Sequence, residues 1–166
     1  MSARCRLPVD GRTLLVVVGL MLVSALPAAG ADDLAEVRAT TARFHRVTAA
    51  QQAGWDLVPG LDHCFENPGV GAMGYHYINV GLLDAVTDPL TPESLVYAPG
   101  PQGQMRLAAV EWIVPDAAWQ GENPPTVLGS EMHLNATLGV WVKHAWIFEH
   151  NPDGMFEDWN PRVSCP

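Results

Sequence analysis

Two stretches of the chain alternate apolar and polar positions at period two. From Gln104 to Val114, Leu107, Ala109, Glu111 and Ile113 fall on one face and Ala108, Val110, Trp112 and Val114 on the other. From Thr137 to Glu149, Val140, Val142, His144, Trp146 and Phe148 oppose Trp141, Lys143, Ala145, Ile147 and Glu149, with Gly139 as a break near the start. Successive side chains of a strand point to opposite faces, so both stretches predict strands with two apolar faces. Met73 to Val80 and Ser94 to Ala98 predict two shorter strands. Asp32 to Ala53 has helical spacing instead: Leu34, Val37, Thr41, Phe44, His45 and Thr48 share one face, while Glu36, Arg43 and Arg46 take the other. Asp32 or Asp33 can cap its start and Gly54 can stop it.

Turn residues punctuate the rest. Pro59 to Gly74 is a predicted loop, 82–93 is turn-rich, and Pro99–Gly103 reads as a hairpin turn. Pro115 to Asn135 is a predicted long loop, and Asn151 to Pro166 a loop-like tail. One helix followed by strands predicts an α+β fold. The expected architecture is an N-terminal helix packed on a curved antiparallel sheet, open or barrel-like, with one disulfide.

The N-terminus changes where this domain is expected to work. Arg4, Arg6 and Arg12 precede an apolar run from Leu14 to Leu26, and Ala29-Gly30-Ala31 follows. Basic, apolar, then small residues are the pattern of a secretory signal peptide, predicting a leader over 1–31 and a single secreted or periplasmic domain over 32–166. The apolar run is too short to span about 30 Å of hydrocarbon. With three arginines and Asp10 removed, six basic against seventeen acidic residues leave a net charge of −11. Such a domain repels nucleic acid and anionic membrane surfaces, which leaves a small molecule or a metal ion as the expected partner. Lys143 is the only lysine, and the Ala/Gly/Pro/Val/Arg bias suggests a GC-rich bacterial source. Cys64 and Cys165 are the two cysteines of the expected mature chain, and in an exported domain they are expected to pair.

Four polar residues interrupt otherwise apolar faces: His45 on the helix, and His76, Glu111 and His144 on three strands. A buried carboxylate is costly unless paired or bound to a cation. Three imidazoles and a carboxylate form a ligand set for zinc, copper, iron or manganese, so one reading is a single divalent-metal site built by His45, His76, Glu111 and His144. The plainer reading makes the histidines hydrogen-bonded core residues and pairs Glu111 with Arg106 or solvent. A third is a non-catalytic domain that binds a small ligand in a pocket lined by the six tryptophans with Tyr75, Tyr77 and Tyr97. His63, His133 and His150 are expected at the surface, with Glu131-Met132-His133 as an outer ligand or lid. No GxSxG elbow, dinucleotide fingerprint or paired glycosidase carboxylates are present, and a catalytic residue is not assigned.

The segment Gly71-Ala72-Met73-Gly74-Tyr75-His76-Tyr77-Ile78-Asn79, with Pro92-Glu93-Ser94-Leu95-Val96-Tyr97 and Ala109-Val110-Glu111-Trp112, is distinctive. So is the ending, Asn151-Pro152-Asp153-Gly154-Met155-Phe156 and then Asn160-Pro161-Arg162-Val163-Ser164-Cys165. Over nearly the whole expected mature chain these resemble a group of small secreted bacterial proteins of unassigned activity, marked by a G-x-M-G-x-H-Y-x-N signature. The resemblance implies a helix histidine, matched by His45, and a histidine before the last loop, matched by His144. The chain departs where relatives tend to read Leu-His-Val-Trp-Leu-Trp and this one reads Lys143-His144-Ala145-Trp146-Ile147-Phe148, and its 115–135 loop is shorter.

Overall fold

In the computed structural model, which describes residues 31–166, the expected helix is split in two. The chain runs α1 (Ala31–Thr41), a 3₁₀ turn (Ala42–Phe44) and α2 (Val47–Gln52). The break follows from Phe44. Its ring is buried, and its carbonyl accepts the Tyr97 hydroxyl at 2.6 Å instead of a helical N–H. Arg46 then turns to an extended conformation before α2 begins. Gly54 does stop the second piece. It adopts φ +103°, and the Gly54 and Trp55 N–H groups close back onto Gln51 and Ala50, a Schellman ending. The expected leader, apart from its final residue, lies outside the described residues.

The strands are β1 (Asp56–Leu57), β2 (Phe65–Asn67), β3 (Gly71–Ile78), β4 (Ser94–Pro99), β5 (Met105–Pro115), β6 (Thr126–Val127), β7 (Ser130–Glu131), β8 (His133–Asn135) and β9 (Val140–Ala145). The main sheet is antiparallel with the order β1-β3-β4-β5-β9-β8; β2 pairs with β3, and β6-β7 forms a separate small hairpin. The sheet ends at β1 and β8, so no closed barrel forms among the described residues. The fold is therefore helix plus open antiparallel sheet. The segment expected to be one long loop holds β6, β7 and β8, and Met132 within it is buried in the core. None of the described helices is long and apolar enough to cross a membrane.

The sheet separates two unlike interiors. On the helical face Tyr77, Leu95, Tyr97, Val110 and Trp112 pack with Val37, Phe44 and Trp55. On the opposite face lie one small-residue cluster around Val96, Ala109 and Trp146, and another of Ile78, Ile113 and Val142. A bulge changes the expected faces. Val96 pairs with Ala109 but Tyr97 pairs with Leu107, which leaves Ala108 unpaired on β5. Leu107 thus joins the helical face, while Ala109, Glu111 and Ile113 stay on the other. The Ala108 carbonyl accepts the N–H groups of Phe148 and Glu149. β9 also ends early at Ala145, so Phe148 does not continue the His144 face.

The C-terminal tail lies over this second face. Cys64 and Cys165 form a disulfide, with Cα atoms 5.7 Å apart across 101 residues, a constraint worth roughly 4–5 kcal/mol in the chain-entropy model. Ala72 bridges to Asn160 in both hydrogen-bond directions. Two glycines of the signature make these approaches possible: a Cβ on Gly71 would stand 2.4 Å from the Asn160 carbonyl oxygen, and one on Gly74 2.5 Å from that of Tyr97.

Candidate functional site

The antiparallel register brings three of the four singled-out residues together. Glu111 on β5 lies directly opposite His144 on β9 and, on its other side, opposite Ser94 on β4. Ile78 continues that row on β3, and His76 stands two residues along from it. All four polar side chains project from the same sheet face, because directly opposed residues share a face. His76 Nε2 reaches to 3.6 Å from Glu111 Oε2, and the His76 and His144 rings are 6.1 Å apart. His144 also packs on Trp146, and His76 on Phe65.

His45 is not part of this group. It is exposed and lies edge-on to Phe148, whose ring packs against the helical-face core. The cause is the early end of β9 together with the helix break, which fixes the 42–46 turn over Phe148. Arg106 is not the partner of Glu111 either, since it pairs with Glu149. His63, His133 and His150 are exposed, as expected.

The environment is nearly dry. His144 is fully buried, and His76 and Glu111 are each only 6% exposed. Burial pushes the His76 imidazolium down to about 4, with His63 adding to the effect. Burial likewise holds His144 well below the usual histidine range. Burial raises Glu111 to about 8, with the charges of Asp158 and Glu93 adding to it. At neutral pH the pair His76–Glu111 is therefore a neutral contact, not a salt bridge, and at 3.6 Å it is too long for a hydrogen bond. His76 Nδ1, Ser94 Oγ and both ring nitrogens of His144 are buried with no hydrogen-bond partner among the described residues. Buried polar groups in native proteins are almost always satisfied, so four such atoms on adjoining strands are unusual.

A cavity of about 280 Å³ adjoins His76 and Glu111, while Ser94 and His144 lie outside its lining. His76 and Glu111 line its inner end; Ile113, Val142, Leu61 and Leu83 are among its aliphatic walls. Its aromatic members are Phe65 and Trp159, so the pocket is aliphatic where the sequence led one to expect aromatic residues. Five of the six tryptophans pack elsewhere: four within or against the helical core and Trp146 beneath the tail. Val80 and Leu138 also line the cavity, although 63% and 47% exposed. His133 and Asp158 are further lining residues, paired at 3.2 Å between Nε2 and Oδ2.

Sequence reasoning missed Ser94 and Asp158. Ser94 opens a strand whose next residues are apolar, a weak signal that became meaningful only through register. Asp158 sits in a turn-rich tail with no periodicity to read. Among the described residues no group of three or more His, Cys, Asp or Glu side chains is arranged to hold a metal ion. The chain matches no protein-family model, no curated protein and no solved structure.

Proposed function

We propose that this is an exported small-ligand-binding protein whose ligand enters the 280 Å³ cavity with a polar group against His76 and Glu111. The supporting observation is coincidence: His76 and Asp158, each with a buried polar atom that has no partner among the described residues, line the same cavity as the buried Glu111, and most of its other walls are apolar. Binding sites are commonly apolar concavities with a few placed polar groups. The disulfide fits an oxidising compartment, in keeping with the leader pattern. Ligand-observed NMR against a library of small organic fragments tests the reading. Fragments should bind the native protein and be lost from Ile113→Phe, which fills the cavity, and from Leu138→Trp, which obstructs its mouth without touching the core. Hits that survive both substitutions, or a library with no hits, would refute it.

A second reading keeps a transition metal on His76, Glu111 and His144. Its support is the pair of partnerless His144 nitrogens in a fully buried ring beside Glu111. Neutral imidazoles with a carboxylate suit zinc, copper, iron or manganese. Elemental analysis of untagged protein beside the His76→Ala, His144→Ala double variant decides it: stoichiometric metal in the first and none in the second supports the metal, and equal content in both removes it.

A further inference from the structure

The cavity has a charge preference as well as a shape. Its lining includes two carboxyl groups, Glu111 and Asp158, and neither lysine nor arginine. The nearby lysine and arginine have other direct partners, although the charge of Lys143 also acts on Asp158. Lys143 donates to Ser130 Oγ at 2.9 Å and lies 4.7 Å from the Phe156 ring centre, and Arg106 is paired with Glu149. Asp158 is bonded through one oxygen to His133, while its other oxygen, Oδ1, is buried and partnerless. Among the described residues Glu111 meets only the long contact to His76. The full chain adds a net charge of −9, which attracts cations and repels anions over the whole surface.

We infer that the ligand is a small aliphatic or aryl-alkyl amine, bound as its ammonium ion, whose charge draws the Glu111 carboxyl into its ionised form as counter-ion, the Glu111 proton passing to solvent, with the hydrocarbon body along the aliphatic walls. This rests on the ligand-pocket reading above and narrows it. A primary ammonium offers three N–H donors and a positive charge to a cavity that presents the Glu111 carboxyl and the free Asp158 Oδ1. A carboxylate ligand would instead meet two carboxyl groups, with only the His133 imidazole, already paired with Asp158, as a basic group in the lining. A neutral alcohol could bond one acceptor and leave the others unpartnered. Size is consistent with this class: at about 30 Å³ per liquid water, 280 Å³ corresponds to roughly nine waters, the scale of a six- to ten-atom organic molecule. Val80 and Leu138, apolar though exposed, would let a longer alkyl chain leave the cavity along an apolar edge.

The test uses n-hexylamine, 1-hexanol and hexanoate on the full mature protein at pH 7, with affinities measured by titration calorimetry after EDTA treatment. The amine is expected to bind at least about tenfold more tightly than the alcohol, and hexanoate most weakly, since a close buried charge pair contributes that much or more. Glu111→Gln, close in shape, should remove most of the amine's advantage and leave the alcohol within about twofold. Asp158→Asn, on a partly exposed residue, should cost the amine less and serves if Glu111→Gln does not fold. Equal affinity for amine and alcohol would overturn the ammonium assignment while leaving the pocket intact, as would tightest binding of hexanoate. Amine binding that appears only after Zn²⁺ is restored would overturn it in favour of a metal centre. Failure of all three probes to bind would remove the pocket reading and this one with it.

Discussion

The two faces of one sheet handle polar groups in opposite ways. On the helical face three large buried polar rings find internal partners: Tyr97 donates to the Phe44 carbonyl, Trp55 to that of Pro92, and Trp112 to those of Asp88 and Pro89. On the cavity face His76, Ser94 and His144 leave buried nitrogen and oxygen atoms unpaired, and Glu111 is held as a neutral acid. Burial is similar on both sides, so the difference lies in satisfaction. A face that satisfies its polar atoms internally gains stability. A face that withholds partners bears a cost that a ligand can relieve, which is why stability and function separate across a sheet only one residue thick.

The largest expected effect sharpens this contrast. Trp112→Ala on the helical face should lower unfolding free energy by about 3–5 kcal/mol, the usual range for deleting a buried tryptophan. Glu111→Met, the neighbouring residue on the other face, should leave stability unchanged or raise it, because it removes a poorly satisfied buried carboxyl. Chemical denaturation reads both. Comparable losses would mean that Glu111 is a structural residue and that the two faces do not differ.

Acidity offers a second, smaller effect. Burial raises Glu111 to about 8 and Glu93 to about 7 from an ordinary 4.5, so the folded state holds these protons more tightly than the unfolded chain. Stability therefore falls as pH climbs from about 4.5 through 8. His76, lowered to about 4 from 6.5, and His144, also lowered, act in the other direction, since the unfolded chain binds those protons more readily. Their contribution falls as pH drops below 6.5. The trends oppose each other between 4.5 and 6.5, giving a broad optimum with a decline toward pH 8. Melting temperatures across this range should show that decline, and Glu111→Met should flatten its upper part. A decline unchanged in Glu111→Met would place the titrating group elsewhere.

The smallest effects come from single hydroxyls. Tyr97→Phe should cost about 1 kcal/mol or somewhat more, because it also strands the buried Phe44 carbonyl. Ser94→Ala should cost nothing measurable, or stabilise slightly, by removing an orphaned oxygen from the cavity face. A loss at Ser94 matching that at Tyr97 would show that Ser94 Oγ has a bound partner in solution, such as an ordered water.

Local sequence was enough for the class of fold, the strands that carry His76, Glu111 and His144, and the cysteine pair. Those features follow from local rules: period-two alternation, helical spacing, glycine stops and the chemistry of two thiols. It also marked Glu111 and His144 as out of place among apolar neighbours, which is the trace a buried polar site leaves in one dimension. Which of the marked residues meet depended on contacts made across the fold. The Ala108 bulge moved Leu107 to the helical face, the early end of β9 took Phe148 and with it His45 away from the group, and the pairing register set Ser94 beside Glu111. The tail, tied by the disulfide and the Ala72–Asn160 bridge, brought Asp158 to a cavity more than forty residues away in sequence from Glu111. Register, bulges and tail docking depend on contacts between distant segments. A one-residue shift exchanges the two faces of a strand while leaving its local pattern unchanged, so the pattern identifies a strand without saying which interior each residue enters.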